Sequence, residues 1–477
     1  MSNYDLLVDP KSEFYNDELI VFPNDDLYSS IFNGNFGKIL RIKDLIWTCV
    51  FPIENKTSLG QLVKLVSTKI DTNTLGVVWS IELYNATKHN YIKISDLEEI
   101  CDDINNACII NVAILGNTIN SSYYGKVGDL VDNVGRGLKV RSGYSLLGSY
   151  YNTMDVLLKE DKRDIASLSL EEKILFDAYI VNRKAPGIID RVPVHSPCLT
   201  GLPAIDCFLP IGKGQRQLIL GDYGAGKTTL AITIIINQSR DNFRNESVWT
   251  FPSKKENKSV FFIPCIYISV GKKKSEVARL TKTLEKRDSL QYTCLIFSSA
   301  SDTATAQSYV PAAGNSIAEW FQKRGHDPII IFDDLGENAV AFREVSLLIR
   351  RPPGREAFPG DIFYLHSRLL ERASQLKARL GGGGITSLPV VETKLGDITA
   401  YIPTNVISIC DGQMILDRNL FIRINLKKSV SRVGSAAQPP IYSDVVKDVK
   451  KVFSTFNNYR SVYEMKGDLH FIFKLLV

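Results

Sequence analysis

Gly221-Asp222-Tyr223-Gly224-Ala225-Gly226-Lys227-Thr228 is a complete glycine-rich phosphate-binding loop, and its flanks decide the fold. Ahead of it, Gln217-Leu218-Ile219-Leu220 is a short apolar strand. Behind it, Thr229 to Asn237 carries Leu230, Ile232, Ile234, Ile235 and Ile236 and reads as an apolar helix. A loop between strand and helix turns backbone N–H groups, and the positive end of the helix, toward an anion. Lys227 has the reach for the β- and γ-oxygens of a nucleotide, and the Thr228 hydroxyl has the chemistry to ligate Mg²⁺. The expected nucleotide contacts therefore run from Gly221 through Thr229.

Ile329-Ile330-Ile331-Phe332 is a second apolar run, and it ends in Asp333-Asp334. Downstream of a phosphate loop, the first such aspartate orients the water shell of the metal, so Asp333 is the expected partner of Thr228 in holding Mg²⁺ through water. Asp334 is equally suited to cap the following helix. Turnover needs, in addition, a group that aligns or deprotonates the attacking water. The strand after the loop's helix, Cys265 to Val270, runs instead into Gly271-Lys272-Lys273-Lys274-Ser275, and a charged lysine accepts no proton. Glu276 opens the next helix, where an acid suits the dipole on structural grounds alone. These residues describe a site that holds a nucleotide with Mg²⁺ without turning it over.

The 477 residues leave room for several domains, and 44% hydrophobic with 23% charged residues is the balance of a globular chain. A net charge of +5 is small for this length and argues neither for nor against nucleic acid, and the runs Lys272-Lys273-Lys274 and Lys254-Lys255 with Lys258 read as solvated loops. The eight cysteines form no Cys-x-x-Cys pair, and several lie inside apolar strands, the pattern of buried thiols. No apolar stretch reaches membrane-spanning length, and Asp5, Asp9, Glu13, Asp17 and Glu18 make the N-terminus unlike a signal or transit peptide.

Before residue 125, short apolar runs alternate with Asn-rich joints, as in a small β-barrel-like module. Gly125 to Gly137 reads as a turn-rich link, and about 138–183 as an insertion holding a charged helix, Ser169 to Arg183, with Leu170, Ile174, Leu175 and Tyr179 on one face. From Ala185 strands and helices alternate, with strands expected at Gln217–Leu220, Phe261–Val270, Thr293–Phe297, Ile329–Phe332, Leu388–Glu392 and Val406–Ile409. Such alternation means a parallel sheet covered on both faces. The expected division is an extension (1–25), a barrel-like domain (26–125), an α/β nucleotide-binding domain (126–438) and a residual helical region (439–477) with Val445, Val446, Val449, Val452, Phe453 and Phe456.

Three longer strings add a family resemblance. They are Leu347 to Asp361 (with Arg350-Arg351-Pro352-Pro353-Gly354-Arg355-Glu356) continuing into Phe363 to Arg372; Ala400-Tyr401-Ile402-Pro403-Thr404-Asn405 to Ile409; and Ser429-Val430-Ser431-Arg432-Val433-Gly434 to Gln438. With the phosphate loop they make the chain resemble the alpha subunits of rotary F-type ATP synthases, closely from about Ala185 to Gln438 and faintly outside it. The resemblance implies a RecA-like P-loop domain in a hexamer of alternating alpha and beta subunits. It implies association with the central stalk gamma and the peripheral stalk, and contact with the membrane only through the complex. The beta sites then carry proton-driven ATP synthesis and hydrolysis, alpha's own site binds ATP without cycling, and Arg432 reaches the γ-phosphate of the adjacent beta site in trans. Arg350, Arg351, Arg355 and Arg372 are expected to pair with Glu356, Asp361 and Glu371, and His366 to be packed rather than ligating.

The chain departs from the family at Tyr223-Gly224-Ala225 (usually Arg-Gln-Thr), at Lys272 (usually Gln) and in a shortened Asn419 to Lys428. It also stops at Val477, where alpha subunits continue into a helical domain, so a separate chain supplying those helices is one expectation and loss the other. A catalytic hexameric motor of the secretion or flagellar export type shares the core but needs a glutamate near Lys272. An RNA-translocating hexamer needs a nucleic-acid module ahead of Gly125. A degenerate alpha kept as scaffold stays open. The spacer Ser239 to Pro264 resembles mitochondrial alphas, which implies the matrix side of the inner membrane and synthesis inside the organelle.

Overall fold

The computed structural model describes residues 36–52, 57–66, 74–83, 107–116, 125–157, 177–239, 242, 262–418, 420, 423–438, 444–449, 451–452 and 455. The extension 1–25, the Lys254 to Lys258 run, Cys101, most of the spacer before Pro264 and most of 439–477 lie outside the described residues.

Six strands close an antiparallel barrel: β1 (Phe36–Lys43), β2 (Ile46–Pro52), β3 (Gln61–Val66), β4 (Leu75–Leu83), β5 (Ala107–Gly116) and β6 (Leu130–Gly137), in the order β1-β2-β5-β4-β3-β6. Ile39, Trp47, Phe51, Val63, Ile110 and Val131 fill its interior. The stretch expected as a turn-rich link supplies β6. Its glycines suggested turns, but its backbone is paired on both sides, by β1 and by β3, and Val131 enters the core.

The segment expected as an insertion is part of the architecture. β7 (Lys139–Ser142) pairs with β9 (Asp177–Ile180), and β8 (Tyr150–Asn152) joins the edge of the main sheet. The helix expected over Ser169–Arg183 is instead a strand over Asp177–Ile180 followed by non-helical chain to Arg183, and Leu170, Ile174 and Leu175 lie outside the described residues. Pairing with β7 outweighs the helical spacing, while Tyr179 still packs on the core beneath the Arg183 guanidinium, 4.7 Å from its ring centre.

After a two-stranded ribbon, β10 (Pro197–Cys198) with β11 (Ile211–Gly212), the main sheet is built from β12 (Gln217–Asp222), β13 (Cys265–Lys272), β14 (Thr293–Ser299), β15 (Ile329–Asp333), β16 (Thr386–Thr393), β17 (Gly412–Leu416) and β18 (Val430–Ser431). Its eight strands run β18-β17-β12-β16-β15-β13-β14-β8, all parallel except β17–β18. Near-continuous apolar strands demand cover on both faces, and alternate residues go to opposite sides. Leu218, Leu220, Ile266, Ile268, Ile330 and Phe332 meet α3 (Ala304–Gln322), α4 (Leu335–Leu348), α5 (Ile362–Leu370) and α6 (Tyr401–Ile409). Ile219, Tyr267, Leu295, Ile331 and Val390 meet α1 (Lys227–Asn237) and α2 (Lys274–Glu285).

One expected strand, Val406–Ile409, is the end of α6. Its β-branched residues suggested a strand, yet Ile402, Val406 and Ile409 are the buried set, a helical spacing, and the strand comes next as β17. The described part of the C-terminal helix buries Val446 and exposes Val445, Val449 and Val452; Phe453 and Phe456 lie outside the described residues. The seven described cysteines are unpaired.

His366 is packed, as expected: it is fully buried on α5, and neither ring nitrogen has a partner among the described residues. Burial lowers its pKa from 6.5 to about 4, so between those values only the unfolded chain takes up the proton. Stability is therefore lost as pH falls through that window. Replacing His366→Leu should remove this share, on the order of 1 kcal/mol, so that the melting temperature drops less between about pH 7.5 and 5.5 than in the parent chain. An unchanged pH profile in calorimetry would count against a neutral buried ring.

Candidate nucleotide-binding site

The parallel register levels the carboxyl ends of the central strands. Asp222 of β12 pairs with Thr393 of β16, and Asp333 of β15 pairs with Ser269 of β13. The phosphate loop thus leaves the sheet at the edge where open α/β sheets bind ligands. Gly224 and Gly226 take φ of +72° and +100°, conformations that glycine adopts freely, and Gly226 precedes the first turn of α1.

Lys227 is buried and folds back over the loop. Its ammonium donates to the Gly221 and Asp222 carbonyls, both at 2.9 Å, and pairs with Glu392 at 3.2 Å. Asp222 ties the loop to the end of β16 by accepting from the Thr393 hydroxyl (2.6 Å) and the Gly396 N–H (2.8 Å), which hold its carboxyl below the usual range. Ala225 is buried, whereas Tyr223 points outward and is 78% exposed. Thr229 lies in the first turn of α1 and accepts at its carbonyl from the Thr233 hydroxyl (2.8 Å).

The expected metal residues are brought together. The Thr228 hydroxyl donates to Asp333 Oδ2 at 2.9 Å, and Asp333 is only 1% exposed. The same oxygen accepts from the Tyr267 hydroxyl and, at 2.5 Å, from the Lys272 ammonium, which also donates to Thr228 Oγ1 at 3.2 Å. Asp333 Oδ1 is buried without a partner among the described residues. A hydroxyl and a carboxylate are the donors that Mg²⁺ prefers. Their meeting point, however, is held by the Lys272 ammonium, so the chemistry of the pair fits the metal and its position does not.

Lys272 arrives there by backbone design. Gly271 has φ of +67°, and the β13–β14 register shifts between Val270 and Lys272. A bulge of this kind re-aims a side chain at the end of a strand. Asp334 caps α4 by accepting from the Gly336 N–H at 2.6 Å, and burial raises its carboxyl to about 7. Glu276 stays exposed in the first turn of α2.

Sequence reasoning missed three groups. Tyr267 lies inside an apolar strand, and nothing in its run marks its hydroxyl as an Asp333 donor; burial, then the Asp333 charge, pushes its pKa well above the usual value. Arg418 and Arg423 lie over the loop, their guanidinium groups within 2.8 Å and 3.5 Å of where side chains on Gly224 and Gly226 would begin. Their position just after β17, the neighbour of β12, was the available signal.

Arg432 is exposed at the sheet edge, just after β18, and its side chain has no hydrogen bond or ion pair among the described residues. Its backbone is held firmly. The Arg432 N–H donates to the Asp411 carbonyl (3.1 Å), and Asp411 is clamped by Arg216 through Nη2 at 2.8 Å and Nε at 3.1 Å. Ser431 donates to the Pro210 carbonyl (2.6 Å), and Gly434 passes so close to it that a Cβ would lie 1.7 Å from that oxygen.

A glycine loop between strand and helix, an acid on the second strand over and a parallel sheet together define a P-loop nucleotide-binding domain. The profile of the ATP synthase alpha/beta family, nucleotide-binding domain, matches residues 201–431. The chain is 42% identical over 366 residues to "ATP synthase subunit alpha" of Neorickettsia sennetsu (strain ATCC VR-367 / Miyayama), a bacterium, covering 76% of this chain and 67% of that protein. It belongs to the ATP synthase alpha/beta family, among the alpha subunits of the F-type enzyme. Among the described residues no helix is long and apolar enough to cross a membrane, and no cluster of three or more His, Cys, Asp or Glu could hold a metal.

Proposed function

We propose that this chain is a non-catalytic, ATP-binding alpha subunit that lends Arg432 to a neighbouring beta-type site. One observation carries the reading: the end of β13 presents an ammonium to the phosphate loop, where turnover requires a proton acceptor. Glu392 is engaged by Lys227 and Glu276 faces solvent, so neither is poised as a substitute. An exposed guanidinium on a clamped backbone suits a group that acts on another subunit's phosphate, since it is always charged and its fork spreads over several oxygens.

In this reading the chain alternates with beta subunits in a hexamer, contacts the central and peripheral stalks, and serves proton-driven ATP synthesis at the matrix face of the mitochondrial inner membrane. Mg²⁺ acts with the nucleotide in the beta sites; in the chain's own site it would have to share Asp333 with the Lys272 ammonium. The barrel, the nucleotide-binding domain to 438 and a helical region after it are its parts.

The test is ATP turnover by the purified full chain. Nucleotide binding without hydrolysis is expected. Brisk Mg-dependent hydrolysis would instead make it a catalytic motor subunit.

A further inference from the structure

The Lys272 ammonium lies 2.5 Å from Asp333 Oδ2 and 3.2 Å from Thr228 Oγ1, and those two oxygens are themselves 2.9 Å apart. This is the space a divalent ion enters in a nucleotide site of this design, between the loop hydroxyl and the strand aspartate. We infer that Lys272 replaces the divalent metal, so that the chain's own site binds the free polyphosphate of ATP or ADP without Mg²⁺. The inference rests on the nucleotide-binding reading above and specifies the form of the ligand.

Three observations carry it. First, the facing oxygens are engaged: Asp333 Oδ2 accepts from Thr228, Tyr267 and Lys272, and the Thr228 oxygen donates to Asp333 while accepting from Lys272. Second, the cation is built in. Gly271 at φ +67° and the register shift beside it set the direction of the side chain, and the Lys272 side chain is only 20% exposed. A fixed ammonium so close to both oxygens repels a doubly charged ion by direct Coulomb interaction in a partly dehydrated site. Third, positive charge for an unaccompanied polyphosphate is at hand. Lys227 lies on the loop, and Arg418 and Arg423 lie over Gly224 and Gly226. Among the described residues Lys272 uses two of its three donors on Asp333 and Thr228, which leaves the third to meet phosphate without a metal.

The experiment is equilibrium binding of a fluorescent ATP analogue to the full chain, in excess Mg²⁺ and in EDTA. Affinities within about three-fold of each other are expected, because the counter-charge is covalently attached. Binding that weakens more than about ten-fold in EDTA overturns the inference and leaves the nucleotide reading intact. Absence of binding in both buffers overturns the nucleotide reading itself. In Lys272→Gln, which keeps a polar side chain and removes the charge, Mg²⁺ dependence should appear as a loss of about ten-fold or more in EDTA. A second measurement does not depend on that variant folding: with ADP and Mn²⁺, electron paramagnetic resonance of the parent chain should show no stoichiometric bound Mn²⁺. One Mn²⁺ per chain would overturn the inference.

Discussion

Replacing Arg432→Ala in the assembled enzyme should lower ATP hydrolysis about 10³- to 10⁵-fold, the range for an arginine acting on a transferring phosphoryl group. The loss should fall on kcat, because the charge of the γ-phosphate is spread most at the transition state, and nucleotide binding at the chain's own site should be unchanged. Arg432→Lys should recover little, since a single ammonium lacks the planar fork. The backbone around Arg432 is held by Asp411, Pro210 and Gly434 rather than by its side chain, so the variant should assemble normally. An assembled Arg432→Ala enzyme that hydrolyses ATP at the parent rate would reduce this chain to a scaffold.

The second large effect concerns stability. Arg372 is 2% exposed; it donates to Glu319 Oε1 at 2.6 Å, to the Ser316 hydroxyl at 2.8 Å and to the Val181 carbonyl at 2.9 Å. The expected partner, Glu371, instead accepts from Ser367 at 3.2 Å, because one turn of α5 carries its side chain to the exposed face. Removing the guanidinium in Arg372→Ala leaves Glu319 buried with, among the described residues, only Arg183 as ionic partner, 3.7 Å away and a third exposed. A loss of about 3–5 kcal/mol is expected in urea unfolding. Arg372→Met combined with Glu319→Leu should recover most of it, since an apolar pair of similar volume leaves no uncompensated charge. A single variant as stable as the parent would show that water reaches Glu319. The neighbouring arginines differ: Arg351 pairs with Asp361 at 3.2 Å and Arg355 lies 4.0 Å from Glu356, both partly exposed, and each is worth little.

Where a feature depends on neighbours in the chain, it was legible. The strand, glycine loop and helix around Lys227 are adjacent in sequence, so backbone conformation and helix dipole follow locally, and continuous apolar runs announced a doubly covered parallel sheet. Asp333 was visible because its strand ends in acid. Partners that depend on strand order were not. Tyr267 and Lys272 reach Asp333 because β13 lies beside β15, and Arg418 and Arg423 reach the loop because β17 lies beside β12. β6 and β9 became strands by pairing with distant segments, against turn and helix signals in their own residues.

Residue order alone therefore established a phosphate-loop sequence on an α/β sheet and a lysine at the end of β13, since both are properties of a few consecutive residues. That this lysine points at Thr228 and Asp333, and that Arg432 is exposed on a clamped edge, was settled by strand packing and by a bulge at Gly271. Side-chain direction at a strand end is set by long-range pairing, which no local window contains.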